Sequence, residues 1–176
     1  MRPRLSLKAR ALQLLALREH SRLELRGKLL EHANQAAAGA PNAESATEPS
    51  GQATFARRLP PTAEMQADVD ALLDWLSENG HLSEARFVEA RVRMRAARHG
   101  NLRIRQELGR HGLELAPEAE RTLRDTELER ARQVWARKFD APAGDAAGRA
   151  RQMRFLAARG FYADVIRRLL RGDEDD

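Results

Sequence analysis

Apolar residues recur at spacings of three and four along almost the whole chain, and nowhere do Val, Ile, Thr or Tyr alternate with polar residues long enough to build a strand. Such a chain must bury one stripe of each helix against other helices, which restricts it to an all-α fold. Only 5% of the 176 residues are aromatic, so the helices have to pack on Leu and Ala. Glycines stand where the periodic runs stop, at Gly80, Gly100, Gly112 and Gly160. Gly80 in particular is placed to close its helix in the left-handed conformation, which glycine enters without a Cβ penalty.

Nine helices are expected. Ser6 caps a first one carrying Leu7, Ala11, Leu14 and Leu15, and Ser21 with Glu24 makes a capping box for a short second one carrying Leu25 and Leu29. Residues 33–61 change to Ala, Gly, Pro, Asn, Ser and Thr, a composition too poor in apolar surface to offset the entropy of ordering, and read as a flexible insert. Val69, Leu72, Leu73 and Leu76 define the third helix, which Gly80 closes. Ser83 caps a fourth whose Phe87, Ala90, Met94 and Ala97 share one face, and Asn101 to Arg110 forms a fifth on Ile104 and Leu108. Pro117 fits the first turn of a sixth, while Thr126 with Glu129 makes a second capping box. Pro142 and Gly144 end the seventh, the eighth runs through Ala150, Met153 and Leu156 to Gly160, and Asp164 caps the ninth. Residues 173–176 read as a frayed acidic tail.

These helices fall into three groups with matching junctions. Leu25 and Leu29 correspond to Ile104 and Leu108, and His111-Gly112 to Arg159-Gly160. Each group is too small to bury its apolar face alone, so the pattern predicts three tandem three-helix repeats sharing one core in an elongated, curved helical array. The repeats span residues 1–79, interrupted by the insert, then 80–125 and 126–172.

Charge is distributed unevenly. Residues 80–113 hold eight arginines (Arg86, Arg91, Arg93, Arg95, Arg98, Arg103, Arg105 and Arg110) against three glutamates, a balance of +5. Residues 1–32 carry another +5 and residues 33–82 carry −5, which makes the chain polar rather than uniformly basic. Arginines at the margins of a buried stripe are either snorkelling side chains on a solvated face or a ridge that meets phosphates or carboxylates. The eight arginines of 80–113 are the candidate partner- or DNA-binding residues.

Catalytic machinery is not visible. The chain has no cysteine, which excludes disulfides and thiolate chemistry, and it lacks a phosphate-cradling Gly-rich loop and a G-x-S-x-G turn. The five histidines, His20, His32, His81, His99 and His111, each fall near an expected helix end and form no H-x-x-x-H pair, so capping is a better reading than metal ligation. Trp75 and Trp135 lie in strongly periodic helices and read as core. No apolar run approaches the ~20 residues that span a bilayer, and Met1 to Leu17 has no small-residue cleavage site. A soluble, unexported, monomeric protein without cofactor or metal is expected.

Four segments resemble the RecX regulators of the RecA recombinase: ALQLLALREHSRLELRGKLLEH at 11–32, GHLSEARF at 80–87, GNLRIRQELGRHGL at 100–113 and MRFLAARGF at 153–161. The resemblance covers the chain apart from the insert. It implies three three-helix repeats, binding in the groove of the RecA filament on DNA, and suppression of ATP hydrolysis and strand exchange, in the cytoplasm. The arginines then have acidic protein surface and single- or double-stranded DNA phosphates as prospective partners. A stand-alone helix-turn-helix DNA-binding protein is the competing reading, favoured by the junctions at Ser21 and Gly100 and opposed by the spread of arginines over several helices.

Overall fold

The computed structural model describes residues 5–37 and 60–171. They form nine α-helices and no strand: α1 (Leu7–Leu17), α2 (Arg22–Ala37), α3 (Ala63–Glu78), α4 (Glu84–Ala96), α5 (Asn101–Gly109), α6 (Pro117–Asp125), α7 (Glu127–Ala136), α8 (Ala146–Ala157) and α9 (Ala163–Arg171). α2 runs to Ala37, five residues into the stretch expected to be a flexible insert. Alanine and glutamine are good helix formers, and Ala33, Gln35, Ala36 and Ala37 extend the helix without needing a buried face. The remainder of that stretch up to residue 59 and the expected acidic tail lie outside the described residues.

The chain divides into two compact units, Met1–Glu84 and Ala85–Asp176. In the first, Ala11 and Leu14 of α1, Leu25 and Leu29 of α2, and Val69, Leu73 and Leu76 of α3 form the core, closed by Leu82. Ser6 Oγ accepts the Ala9 N–H at 3.2 Å, Ser21 Oγ the Glu24 N–H at 3.1 Å and Thr62 Oγ1 the Met65 N–H at 3.2 Å, so all three helices start on a side-chain cap. His20 is buried with its Nδ1 2.9 Å from the Arg18 carbonyl at the end of α1, and burial pushes its pKa below the ordinary imidazole value. Arg26 meets Asp70 through Nε at 2.6 Å and Nη2 at 2.9 Å, Arg22 meets Asp74 at 2.7 Å, and Arg18 pairs with Glu24. Arg18, Arg22 and Arg26 of the basic N-terminal stretch are thus matched by the acidic face of α3 and by α2 itself.

The second unit holds two apolar clusters. Phe87, Ile104, Leu108 and Leu123 belong to α4–α6, and Ala131, Val134, Leu156, Phe161, Ile166 and Leu169 to α7–α9 and the turn before α9. Three successive helices serve each cluster, but the expected continuous core is broken at their junction by polar groups and bare backbone. Gly100 and Gly160 meet there: the Gly100 N–H donates to the Arg159 carbonyl at 3.0 Å and the Leu102 N–H to the Gly160 carbonyl at 3.1 Å. Glu127, 1% exposed, accepts the Asn101 N–H at 3.0 Å and so caps α5 from the start of α7. Arg130 donates to the His99 carbonyl at 2.9 Å and the Leu123 carbonyl at 2.8 Å, and also to Asn101 Oδ1, closing the ends of α4 and α6.

Several local expectations change. Met94 is 66% exposed and Ala97 is also exposed; α4 instead buries Phe87 and packs Val88, Val92 and Ala96 against the core. The face turns because Arg91 and Arg95, one and two turns after Phe87, are drawn to Glu107 of α5. Met153 is likewise exposed, and its neighbour Gln152 is buried, with Nε2 donating to the Ala141 carbonyl at 2.9 Å. Thr126 does not cap α7: it is itself helical, and its hydroxyl donates to the Thr122 carbonyl at 2.8 Å. Asp164 sits inside the first turn of α9 rather than before it, where its charge favours the helix N-terminus.

Burial raises the Glu127 carboxyl above its ordinary pKa, against the opposing influence of the Asn101 amide and the Arg130 charge. A carboxyl raised in the folded state contributes stability that is complete below the unfolded pKa and is lost as pH rises through the folded value. Glu127→Gln keeps an oxygen for the Asn101 amide and removes the charge. The wild type is therefore expected to gain stability relative to Glu127→Gln as pH falls from neutrality into the ordinary carboxylate range. Paired urea titrations across that range check it, and parallel curves would contradict it.

Candidate cationic binding site

Four of the eight arginines singled out in the sequence, Arg91, Arg95, Arg103 and Arg110, line one polar cleft of about 320 Å³ between α4 and α5. Glu107 is its one acidic lining residue. Arg95 reaches it with Nε 2.7 Å from Oε2 and Nη2 3.0 Å from Oε1, and Arg91 Nη1 lies 3.2 Å from Oε1. Glu107 is 17% exposed, so these pairs staple α4 to α5 and are largely committed to the fold. Arg91 also lies over the Phe87 ring at 5.1 Å, and the edge of the His111 ring meets Phe87 at 4.9 Å.

Arg103 and Arg110 are exposed, and no ion pair ties either to an acid among the described residues. Arg103 owes its position to the glycine junction, since its backbone lies against Gly160. Arg110 is the C-cap of α5, where a cation also suits the helix end. His99 lies at the inner edge of the cleft, and burial, aided by the charges of Arg95 and Arg103, pushes its pKa down.

The other four candidates go elsewhere. Arg93 is 77% exposed and pairs with Glu89 one turn earlier at 2.6 Å, an i,i+4 pair of ordinary surface type. Arg105 pairs with Glu120 of α6 at 2.9 Å. Arg86 is exposed in the first turns of α4 and lines neither cleft described here. Arg98 faces a second cleft, lined by Arg98, His99, Val134, Arg137, Lys138, Phe155 and Arg159, with a volume of about 450 Å³.

Residue-by-residue reading of 80–113 does not find Arg137, Lys138 and Arg159. They come from the ends of α7 and α8 and meet Arg98 only through the packing of the second unit. The available sequence signal is weak: Arg137-Lys138 beside Phe139, and Arg159 before Gly160. Arg159 sits over the Phe155 ring at 3.7 Å and Lys138 Nζ lies 4.8 Å from the same centroid, while Phe139 meets Phe155 edge-on at 5.2 Å.

No group of three or more His, Cys, Asp or Glu among the described residues is placed to hold a metal ion, and no helix there is long and apolar enough to cross a membrane. Unpaired cations along two clefts can recognise carboxylates and phosphates.

The chain matches the family models for the second three-helix domain of RecX, over residues 83–114, and the third three-helix domain of RecX, over residues 125–170. It is 45% identical to the regulatory protein RecX of Leptothrix cholodnii, over 97% of this chain and 90% of the relative. Similar relatives of the same name come from Herbaspirillum seropedicae, 43% identical over 99% of this chain and 97% of the relative, and Ralstonia pickettii, 42% identical over 97% and 90%.

Proposed function

This chain belongs to the RecX family of regulatory proteins, and on that premise we propose that it binds a RecA nucleoprotein filament and lowers its ATP hydrolysis and strand exchange. The observation that carries the reading is 45% identity to a regulatory protein RecX along 97% of the chain. The protein acts by binding rather than by catalysis, as a monomer in the cytoplasm, and so modulates recombination, DNA repair and the SOS response.

The mechanism is occupation of the filament's helical groove by the three tandem repeats, which blocks filament extension or productive pairing. Arg103 and Arg110 carry the contact to acidic protein surface, because they are the exposed arginines of the α4–α5 cleft that Glu107 leaves unmatched. Arg91 and Arg95 act through position: by holding Glu107 they fix α4 against α5 and keep the cleft open. Arg86, Arg93, Arg98 and Arg105 extend the same basic segment around it.

The test is RecA ATP hydrolysis on single-stranded DNA with this protein added up to stoichiometric ratio. Hydrolysis and strand exchange should both fall. Arg103→Gln/Arg110→Gln should raise the concentration for half-inhibition about tenfold to a hundredfold, the equivalent of about 1.4–2.7 kcal/mol. Tight, sequence-dependent DNA binding with no effect on RecA would support the stand-alone DNA-binding reading instead.

A further inference from the structure

The second cleft holds four cations, Arg98, Arg137, Lys138 and Arg159, and no acidic lining residue. They follow three different helices: Arg98 comes after α4, Arg137 and Lys138 after α7, and Arg159 after α8. Basic residues at helix ends commonly serve the helix dipole. Each C-terminus is equivalent to about half a negative charge, and three together amount to about −1.5 against four positive charges, which leaves a surplus of about +2.5. Hydrogen bonding absorbs little of it. Arg159 Nη1 donates to the Phe155 carbonyl at 3.2 Å and Arg137 Nη1 reaches the Ala97 carbonyl at only 3.5 Å, whereas Lys138 lies over the Phe139 and Phe155 rings.

The floor of the cleft is aromatic. Phe155 is braced edge-on by Phe139 and covered by the Arg159 guanidinium. A strand of nucleic acid offers the complement, phosphates for the cations and bases for the aromatic and guanidinium surfaces. An acidic peptide would use the charges and leave the stacked Arg159–Phe155 pair without a role. The cleft volume of about 450 Å³ lies within the roughly 300–1,000 Å³ usual for small-ligand sites, room for more than a bare phosphate group.

We propose that the cleft formed by Arg98, Arg137, Lys138, Phe155 and Arg159 seats the phosphodiester backbone of single-stranded nucleic acid. Arg98, Arg137 and Lys138 supply exposed, movable charges, and Arg159, fixed on Phe155, supplies a rigid one. This site adjoins the α4–α5 cleft assigned to RecA at His99 but shares none of its lining cations, and its test uses no RecA, so either reading can fail alone.

The experiment is fluorescence anisotropy of a labelled oligothymidylate against the full chain at several salt concentrations. The variant Arg98→Gln/Arg137→Gln/Lys138→Gln should reduce the slope of log Kobs on log salt by about 2, at about 0.7 per lost phosphate contact on a single strand. All three positions are exposed, and circular dichroism checks that the helices persist. Arg167→Gln/Arg168→Gln/Arg171→Gln on α9, equal in charge, should keep the wild-type slope. Should the cleft triple fail to fold, Lys138→Gln alone should reduce the slope by about 0.7. Equal losses in the two triples would mean bulk charge and overturn the proposal, as would a wild-type slope in the cleft variants. Polyglutamate binding that is lost in the cleft triple while oligothymidylate binding persists would assign the cleft to an acidic protein segment and overturn it too.

Discussion

Gly160→Ala is expected to destabilise the second unit by about 2–5 kcal/mol, the sum of placing a Cβ in the left-handed region and forcing an atom into packed backbone. Gly160 has φ +80°, and a Cβ there would lie 2.6 Å from both Cβ and N of Arg103. Neither neighbour is the free end of a flexible side chain, so the start of α5 has to move. That movement breaks the hydrogen bond from the Leu102 N–H to the Gly160 carbonyl, one of two backbone hydrogen bonds that join the second and third helix groups among the described residues. Trp135 lies in α7, so its fluorescence in a Trp75→Phe background reports this unit alone. At a urea dependence of ~1–3 kcal/mol per molar, the midpoint should fall by about 0.7 M or more. Gly109→Ala is the control: a Cβ there meets nothing within 4 Å, and α5 should be unchanged or slightly strengthened. An unchanged midpoint for Gly160→Ala would show that the junction is looser than described.

Arg130→Met should cost about 3 kcal/mol in the same measurement, within the range for removing one member of a buried charged network. Its guanidinium serves the carbonyls of His99 and Leu123, so two helix ends lose a donor together, while the methionine stem preserves the packing. Burial lowers the Arg130 pKa and the Glu127 charge partly restores it, which makes the two residues one electrostatic unit. Arg130→Lys should recover little, because one ammonium cannot reproduce a planar fork that reaches several acceptors. A loss below about 1 kcal/mol, the worth of a single ordinary hydrogen bond, would mean that water replaces the guanidinium and that the junction is not held by it.

Helix content was legible from spacing because Leu25, Leu29, Val69, Leu73, Ile104 and Leu108 are buried in the register their periodicity implies. Three of the glycine stops were equally clear, whereas Gly100 starts α5 as its N-cap with a negative φ. After Gly80, Gly112 and Gly160, each with positive φ, the next residue's amide returns to the carbonyl of a buried leucine: Leu76, Leu108 and Leu156. Periodicity misled on α4, where a wheel favours Phe87, Ala90, Met94 and Ala97. One half-buried glutamate on α5 overrides that stripe, and a helical wheel contains no information about the neighbouring helix. Glu127 and Arg130 were missed for the same reason, since charged residues in a short amphipathic helix read as its solvent face until the partners Asn101 and His99 are in place. The eight arginines stand out in the sequence as a group, but that Arg91 and Arg95 are held by Glu107, Arg93 by Glu89 and Arg105 by Glu120 depends on the fold. The second cleft adds Arg137, Lys138 and Arg159, separated in sequence from Arg98 and joined to it by folding.

The central claim is that this chain restrains a RecA filament through the unmatched arginines of the α4–α5 cleft. Its most direct test is RecA ATP hydrolysis on single-stranded DNA, titrated in parallel with the wild type, Arg103→Gln/Arg110→Gln, and Arg167→Gln/Arg171→Gln as an equal-charge control. The expected result is inhibition by the wild type and the control at the same concentration, with the cleft variant displaced to higher concentration. Hydrolysis unchanged by stoichiometric wild-type protein would contradict the claim of function, and equal displacement of both variants would contradict the assignment of the site.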